Sequence, residues 1–316
     1  MKIKTVALLG AGAVGSYFIW GLSEKLGDSL WVIADGERKK RLEQEGILIN
    51  GKCYRPCVRT PKEAKGADLL LVSVKYGALG SCLTDISQIV GEHTIVLSLL
   101  NGVDSEEIIG RKIGMEHMLF SMMKIASRRV GNEIVFQEKT TIGLLYGEKD
   151  QEEPSGRMLA VEELLSGTGI HRQMCRQVLR DIWHKYAFNI SMNLPQAVIG
   201  CGLCAYAFSE NAAKLRWELR KEVCEVAAAK GIDISELSDI EKMHVEKTPD
   251  TRYSTLQDLD AKRHTEIDMF SGTLMKLGRE LGVPTPYNEV IYYMIKALEE
   301  KNDGKFDTVQ KRKEKE

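Results

Sequence analysis

The sequence predicts an α/β protein in two parts: a doubly wound parallel sheet over residues 1–174 and an all-α domain over residues 175–304. Three observations carry that expectation. Short apolar runs alternate with helical patterns along the first part. A glycine-rich turn, GAGAVG, joins the first run to the first helix. Past about residue 174 the strand-like runs stop and only a helical period is left.

The strand-like runs are TVALLGA, LWVIAD, DLLLVSVK and TIVLSLLN. Each is nearly continuous in apolar residues, as a strand covered on both faces must be. Between them AVGSYFIWGLSEKL, ERKKRLEQEG, GALGSCLTDISQIV and DSEEIIGRKIG carry helical patterns, and this alternation predicts parallel pairing through helical crossovers. After about residue 115 the pattern changes. HMLFSMMKIASRRVGNEIVFQEKTTIGLLYGE predicts strands joined by a tight Val130-Gly131-Asn132 turn, expected as antiparallel additions to the same sheet. Four later segments have helical spacing: VLRDIWHKYAFNISMNL, AAKLRWELRKEVCEVAAAKG, TLQDLDAKRHTEIDMFSGTLMKLGRELG and YNEVIYYMIKALEEK. The domain boundary is expected near Cys175, without a flexible linker. The charged stretch 305–316 lacks apolar periodicity and is expected to be a disordered tail.

At 316 residues the chain is long enough for two domains, and 43% hydrophobic with 28% charged residues supports a full core in each. Lys plus Arg is 44 and Asp plus Glu is 45, so no charge excess points to nucleic acid or a membrane surface. No run approaches the length of a membrane span, and no signal-peptide pattern is present. Seven cysteines, an odd number, fit reduced thiols in a cytoplasmic setting. Cys201 and Cys204 form a CxxC, but within the apolar run AVIGCGLCAYAF it reads as helix packing, and no metal is expected.

Gly10-Ala11-Gly12-Ala13-Val14-Gly15 fits G-x-G-x-x-G directly after a strand and directly before a helix. Glycines there allow a tight turn and close approach of a pyrophosphate to free N–H groups at the helix start. The first domain is therefore expected to be a Rossmann-type domain that binds NAD or NADP, with Gly10, Gly12, Ala13, Val14 and Gly15 at the cofactor. Asp35 ends the second strand, where a carboxylate accepts from the adenosine ribose and repels a 2′-phosphate, so by itself it favours NAD. Arg38 and Lys39 follow closely and could instead reach a 2′-phosphate or simply be solvated. Lys75 closes the third strand and Asn101, before Gly102, closes the fourth. Both would lie on the side where a cofactor lies in such sheets.

In WHKYAFNISMN, Lys185, Asn189 and Asn193 recur every fourth residue and so line one side of a helix. His184 beside them reads as a helix-surface histidine. Taken in order, GAGAVG, VSVK, LLNG, WHKYAFNISMN and STLQDLDAKRHTEID resemble the ketopantoate reductase (2-dehydropantoate 2-reductase) family over nearly the whole chain, excluding the tail.

The resemblance implies a place in pantothenate biosynthesis and a role for each matching residue. Lys185 becomes the general acid that protonates the ketone oxygen. Glu266 becomes the carboxylate that binds the substrate hydroxyl and fixes the lysine. Asn189 and Asn193 hold the substrate, and Ser254 takes its carboxylate. Asn101 lies near the nicotinamide ribose and the substrate, and Lys75 is a cofactor-side lysine. The chemistry is coherent by itself, since hydride addition builds negative charge on oxygen and an ammonium there stabilises it and supplies the proton. Two departures from the family stand out. Asp35 replaces the arginine that the family places after the second strand as the ligand of the NADPH 2′-phosphate, so the resemblance leans toward NADP where Asp35 leans toward NAD, and Asn193-Leu194-Pro195-Gln196 replaces its N-P-L-T. The expected reaction is reduction of a branched 2-keto acid, ketopantoate first. Another 2-keto acid, or a cofactor-binding sensor without turnover, is the alternative. The expected partner is that small substrate alone, for a monomer or homodimer.

Overall fold

A computed structural model of the chain describes residues 2–149, 151, 153–236 and 250–306. The tail from residue 307 on lies outside the described residues. The chain forms two units, Met1–Asp181 and Ile182–Glu316. The division falls within the first long helix of the second part, beyond the position near Cys175 at which the sequence set it.

In the first unit, β1 (Val6–Leu9), α1 (Ala13–Leu26), β2 (Leu30–Ile33) and α2 (Gly36–Glu45) open the chain. They are followed by β3 (Ile47–Ile49), β4 (Lys52–Tyr54), β5 (Cys57–Arg59), β6 (Leu69–Val72), α3 (Tyr76–Ile89), β7 (Ile95–Ser98) and α4 (Ser105–Ile113). Then come β8 (Met118–Lys124), β9 (Ser127–Val130), β10 (Glu133–Phe136), β11 (Gly143–Gly147), α5 (Gly156–Leu165) and β12 (Arg172–Met174). The main sheet has eight strands in the order β12-β11-β8-β7-β6-β1-β2-β5. From β5 to β8 all neighbours pair in parallel.

Strand side chains alternate between faces, and the central strands feed two separate cores. Val6, Leu8, Leu30, Val32, Leu69 and Leu71 enter one cluster. Ala7, Leu9, Trp31, Ile33, Leu70 and Val72 enter the other. A sheet covered on both sides explains why these runs read as uninterrupted apolar sequence.

The region after β7 departs from expectation. β8 extends the main sheet in parallel with β7, and β11 alone meets the expectation of an antiparallel addition, pairing with β8. The β9–β10 pair leaves that sheet altogether. β10 pairs in parallel with β3, giving a second sheet ordered β4-β3-β10-β9. Only one face of β10 is buried; Ile134 and Phe136 enter the core shared with α1. There Phe136 meets Tyr17 and Trp20 edge-to-face at 5.2 and 5.6 Å. A helix side rich in aromatics thus takes the strand face that alternation alone would equally offer to the main sheet.

The second unit is helical: α6 (Val178–Ile199, whose first turn belongs to the first unit), α7 (Cys204–Phe208), α8 (Glu210–Ala229), α9 (Ser254–Asp260), α10 (Thr273–Leu281) and α11 (Pro286–Asn302). The stretch expected as one helical segment from Thr255 to Gly282 is broken. α9 ends at Asp260, Lys262 takes φ +53°, and a π-helical turn, Asp268–Gly272, precedes α10. Two buried carboxylates hold this unit's ends in register. Glu222 of α8 accepts from the N–H groups of Tyr287 (2.7 Å) and Asn288 (2.9 Å) at the start of α11, where free donors and the helix dipole favour an anion. Glu299 of α11 accepts from both the N–H and the hydroxyl of Thr265 at 2.7 Å.

Candidate functional site

Each unit carries one set of the residues singled out from sequence. In the first, the candidates follow the carboxyl ends of four adjacent strands. Gly10–Gly15 follow β1, Asp35 follows β2, Lys75 follows β6 and Asn101 follows β7. The order β5-β2-β1-β6-β7 reverses direction of growth between β1 and β6, which is the point where open α/β sheets leave a crevice for a ligand.

The glycines divide the work there. Gly10 has φ +104°, and a Cβ would run into the carbonyl oxygen of Ser73 at the end of β6. At Gly15 a Cβ would meet the Gly10 carbonyl oxygen. These two close the strand–helix turn. Gly12 is different: a Cβ there would meet nothing within 4 Å. It caps α1 without a side-chain bond, and Ala13 and Val14, both half-buried, form the first turn beneath. The space a side chain would fill is left open over the free N–H groups of a helix start, which fits a dinucleotide pyrophosphate.

Asp35 is exposed at the N-cap of α2, with its carboxylate making no cap bond. Lys39 pairs with Glu63 at 2.9 Å and Lys40 with Glu37 at 2.8 Å. On α3, burial raises the Asp85 carboxyl, and the charge of Asp35 raises it further. Lys75 is exposed at the N-cap of α3, and Asn101 is half-buried just before Gly102, which has φ +98°. Around the start of α4, just after Asn101 in the chain, lies a buried network that the sequence did not disclose. Tyr76 donates to Asp104 at 2.7 Å, and Ser105 donates to Glu106 at 2.8 Å while sharing a 2.7 Å bond with Ser98. Burial pushes the Glu106 carboxyl up to about 7. Such residues carry no motif, because the network is completed by Ser98 and Tyr76 on other elements.

In the second unit, Lys185 and Asn189 are half-buried on α6 and Asn193, one turn further, is 4% exposed. Asn193 Oδ1 is buried with no hydrogen-bond partner among the described residues. Ser254 is exposed at the start of α9, and Glu266 is half-buried just before the π-helical turn. Two contacts set the Glu266 segment. Thr265, its neighbour, is held by Glu299, and the Tyr186 hydroxyl donates to the carbonyls of Phe270 (2.5 Å) and Met269 (3.3 Å). Tyr186 follows Lys185 directly, so the turn after Glu266 is bonded to α6 at the residue beside the lysine. A π-helical turn displaces carbonyls from the regular ladder, a feature common at functional sites; here it presents two of them to one phenol. Cys201 is exposed and Cys204 half-buried, both as free thiols.

The ketopantoate reductase PanE/ApbA family matches residues 6–147, and its C-terminal counterpart matches residues 177–299. The chain belongs to the ketopantoate reductase family. It is an NAD(P)-dependent oxidoreductase acting on a CH–OH group. A 2-dehydropantoate 2-reductase from Streptococcus pyogenes is 25% identical over 93% of this chain and 97% of its own length. A ketopantoate reductase from Ralstonia eutropha has the same fold, with TM-score 0.80 at 23% identity, covering 95% of this chain and 99% of its own. A D-mandelate dehydrogenase, solved with NADH and anilino(oxo)acetate, superposes with TM-score 0.78 at 23% identity, covering 95% and 99%. Among the described residues no helix is long and apolar enough to cross a membrane.

Proposed function

We propose that the chain reduces ketopantoate to pantoate, with NADH as its preferred cofactor. The observation that carries the reading is the face of α6. Lys185, Asn189 and Asn193 share it, and the buried Oδ1 of Asn193 has no partner among the described residues. Leaving a buried acceptor unmade costs about 1–3 kcal/mol, a cost that a bound hydroxyl removes.

The bound nicotinamide supplies a hydride. Gly10, Gly12, Ala13, Val14 and Gly15 hold the cofactor at its pyrophosphate, Asp35 takes the ribose hydroxyls, and Lys75 and Asn101 serve at the neighbouring strand ends. As the carbonyl carbon gains the hydride, the C=O π pair moves to oxygen; Lys185 Nζ stabilises that charge and gives up a proton to it, leaving a 2-hydroxy acid. Glu266 keeps the lysine oriented and accepts from the new hydroxyl. Asn189 and Asn193 orient the substrate, and Ser254 receives its carboxylate. Asp35 supports NADH because a 2′-phosphate would meet a carboxylate there, with Lys39 already engaged by Glu63.

A second reading, reduction of a different 2-keto acid, is favoured by one feature, Gln196 where the family has threonine. The test is the initial rate of NADH and NADPH oxidation by the purified protein with ketopantoate and with a series of other 2-keto acids. Ketopantoate turnover, faster with NADH, is expected. Turnover of another acid alone selects the second reading, and turnover of none defeats both.

A further inference from the structure

Pro195 lies inside α6. It has no N–H to give the carbonyl of residue 191, so the helical ladder is already open at that point. The next rung is altered too. The Gln196 N–H donates to the Tyr206 hydroxyl oxygen at 3.0 Å, and that hydroxyl donates to the Met192 carbonyl at 2.8 Å. A phenol from α7 thus stands where residues 192 and 196 would bond directly, the insertion that opens a helix. Burial raises the Tyr206 pKa, so the phenol keeps the proton it donates.

The Gln196 side chain, 0% exposed, turns toward one short stretch of backbone. Its Nε2 donates to the Thr251 carbonyl at 2.8 Å, and its Oε1 accepts from the Tyr253 N–H at 2.6 Å. A neighbouring strand would satisfy a backbone in this way. The Tyr253 ring also meets Phe188 of α6 edge-to-face at 5.8 Å. Phe188, Met192 and Gln196 are spaced by four, so the 251–253 stretch is fastened to α6 at two points on one face. The residue immediately after the fastened stretch is Ser254. The residue one turn before Gln196 is Asn193, with its unpartnered Oδ1.

We infer that Gln196 is a positioning residue that sets substrate affinity: through the backbone of Thr251 and Tyr253 it fixes Ser254 relative to Asn193, and so places the carboxylate of a 2-keto acid. The inference rests on the roles of Ser254 and Asn193 proposed above. The amide is suited to the task because it offers one donor and one acceptor at once. Methionine fills similar space and offers neither. Glutamate offers both only while it is protonated.

The experiment is a double-mutant cycle on the full chain with Gln196→Met, Ser254→Ala and the pair. It reads kcat and KM for the 2-keto acid at saturating NADH, and the NADH Kd by fluorescence. Gln196→Met is expected to raise KM between about 10-fold and 100-fold, the scale of a small misplacement, with NADH Kd unchanged. The double variant is expected to be no worse than Ser254→Ala alone. Additive losses, or an unchanged KM, overturn the inference while leaving the proposed reaction intact. If Gln196→Met does not fold, Gln196→Glu is read across pH. Its KM relative to wild type is expected to rise as the carboxyl ionises, and a ratio independent of pH overturns the inference. A wild-type chain that reduces no 2-keto acid overturns both this and the proposed reaction.

Discussion

The two units build their candidate residues in opposite ways. In the first, backbone does the work: Gly10 and Gly15 close a turn, Gly12 leaves space over it, and Asp35, Lys75 and Asn101 are placed simply by following adjacent parallel strands. In the second, side chains do it: Tyr186, Glu299 and Gln196 reach across the helical unit and fasten the segments that carry Glu266 and Ser254. A backbone site tolerates little change in local shape, whereas a side-chain site depends on a few distant atoms. The contrast can be broken or sharpened by substitution.

The largest effect on stability is expected within the first unit, at the start of α4. Glu106 is buried, and desolvation lifts its carboxyl from 4.5 to about 7. Its folded form therefore binds a proton more tightly than the unfolded chain does. This contribution is complete below the unfolded value and is lost as pH rises from about 4.5 to 7, by roughly 3 kcal/mol at most. Glu106→Gln should remove that slope in denaturant unfolding measured across the window. Equal slopes in the two proteins would mean the carboxyl titrates normally.

Gly12→Val comes next. Its φ of −86° suits any residue and a Cβ meets nothing within 4 Å, so the melting temperature should hold. The NADH Kd should rise by about 10-fold to 100-fold, the equivalent of the 1–3 kcal/mol typical of overpacking. A variant that binds NADH normally would show that the open space is not the pyrophosphate's.

Smaller still is Tyr186→Phe in the second unit. Loss of the bonds to the Phe270 and Met269 carbonyls should cost about 1 kcal/mol of stability and lower kcat several-fold, while NADH Kd stays put. A change confined to NADH binding would reverse the assignment of roles to the two units. A shift of similar size is expected from Asp35→Arg: a move of about tenfold in relative preference toward NADPH, on the scale of one charge-assisted bond, read as the ratio of kcat/KM values.

The same contrast decides what the sequence could reveal. Buried parallel strands write themselves as apolar runs, so the ends at Gly10, Asp35, Lys75 and Asn101 were legible with the fold. The face of Lys185, Asn189 and Asn193 was legible from a spacing of four. Strands of three residues, such as β3, β4, β5 and β12, are too short for period two to be seen. The β9–β10 alternation disclosed a strand pair but not its partner, since Phe136 packs on Tyr17 and Trp20 through contacts distant in sequence. Apolar spacing ran on through 255–282 and hid the break before Glu266. That break is held by Glu299 and Tyr186 from elsewhere in the unit.

In the proposed reaction the first unit holds the cofactor and Lys185 of the second gives the proton. A single-turnover comparison of wild type and Lys185→Met, each preloaded with NADH and mixed with ketopantoate, tests it most directly. Equal NADH affinity is expected in both, with a transfer rate lower by about 100-fold to 10,000-fold in the variant, the range for removal of a general acid. Transfer at the wild-type rate in Lys185→Met, or loss of NADH binding there, would contradict it.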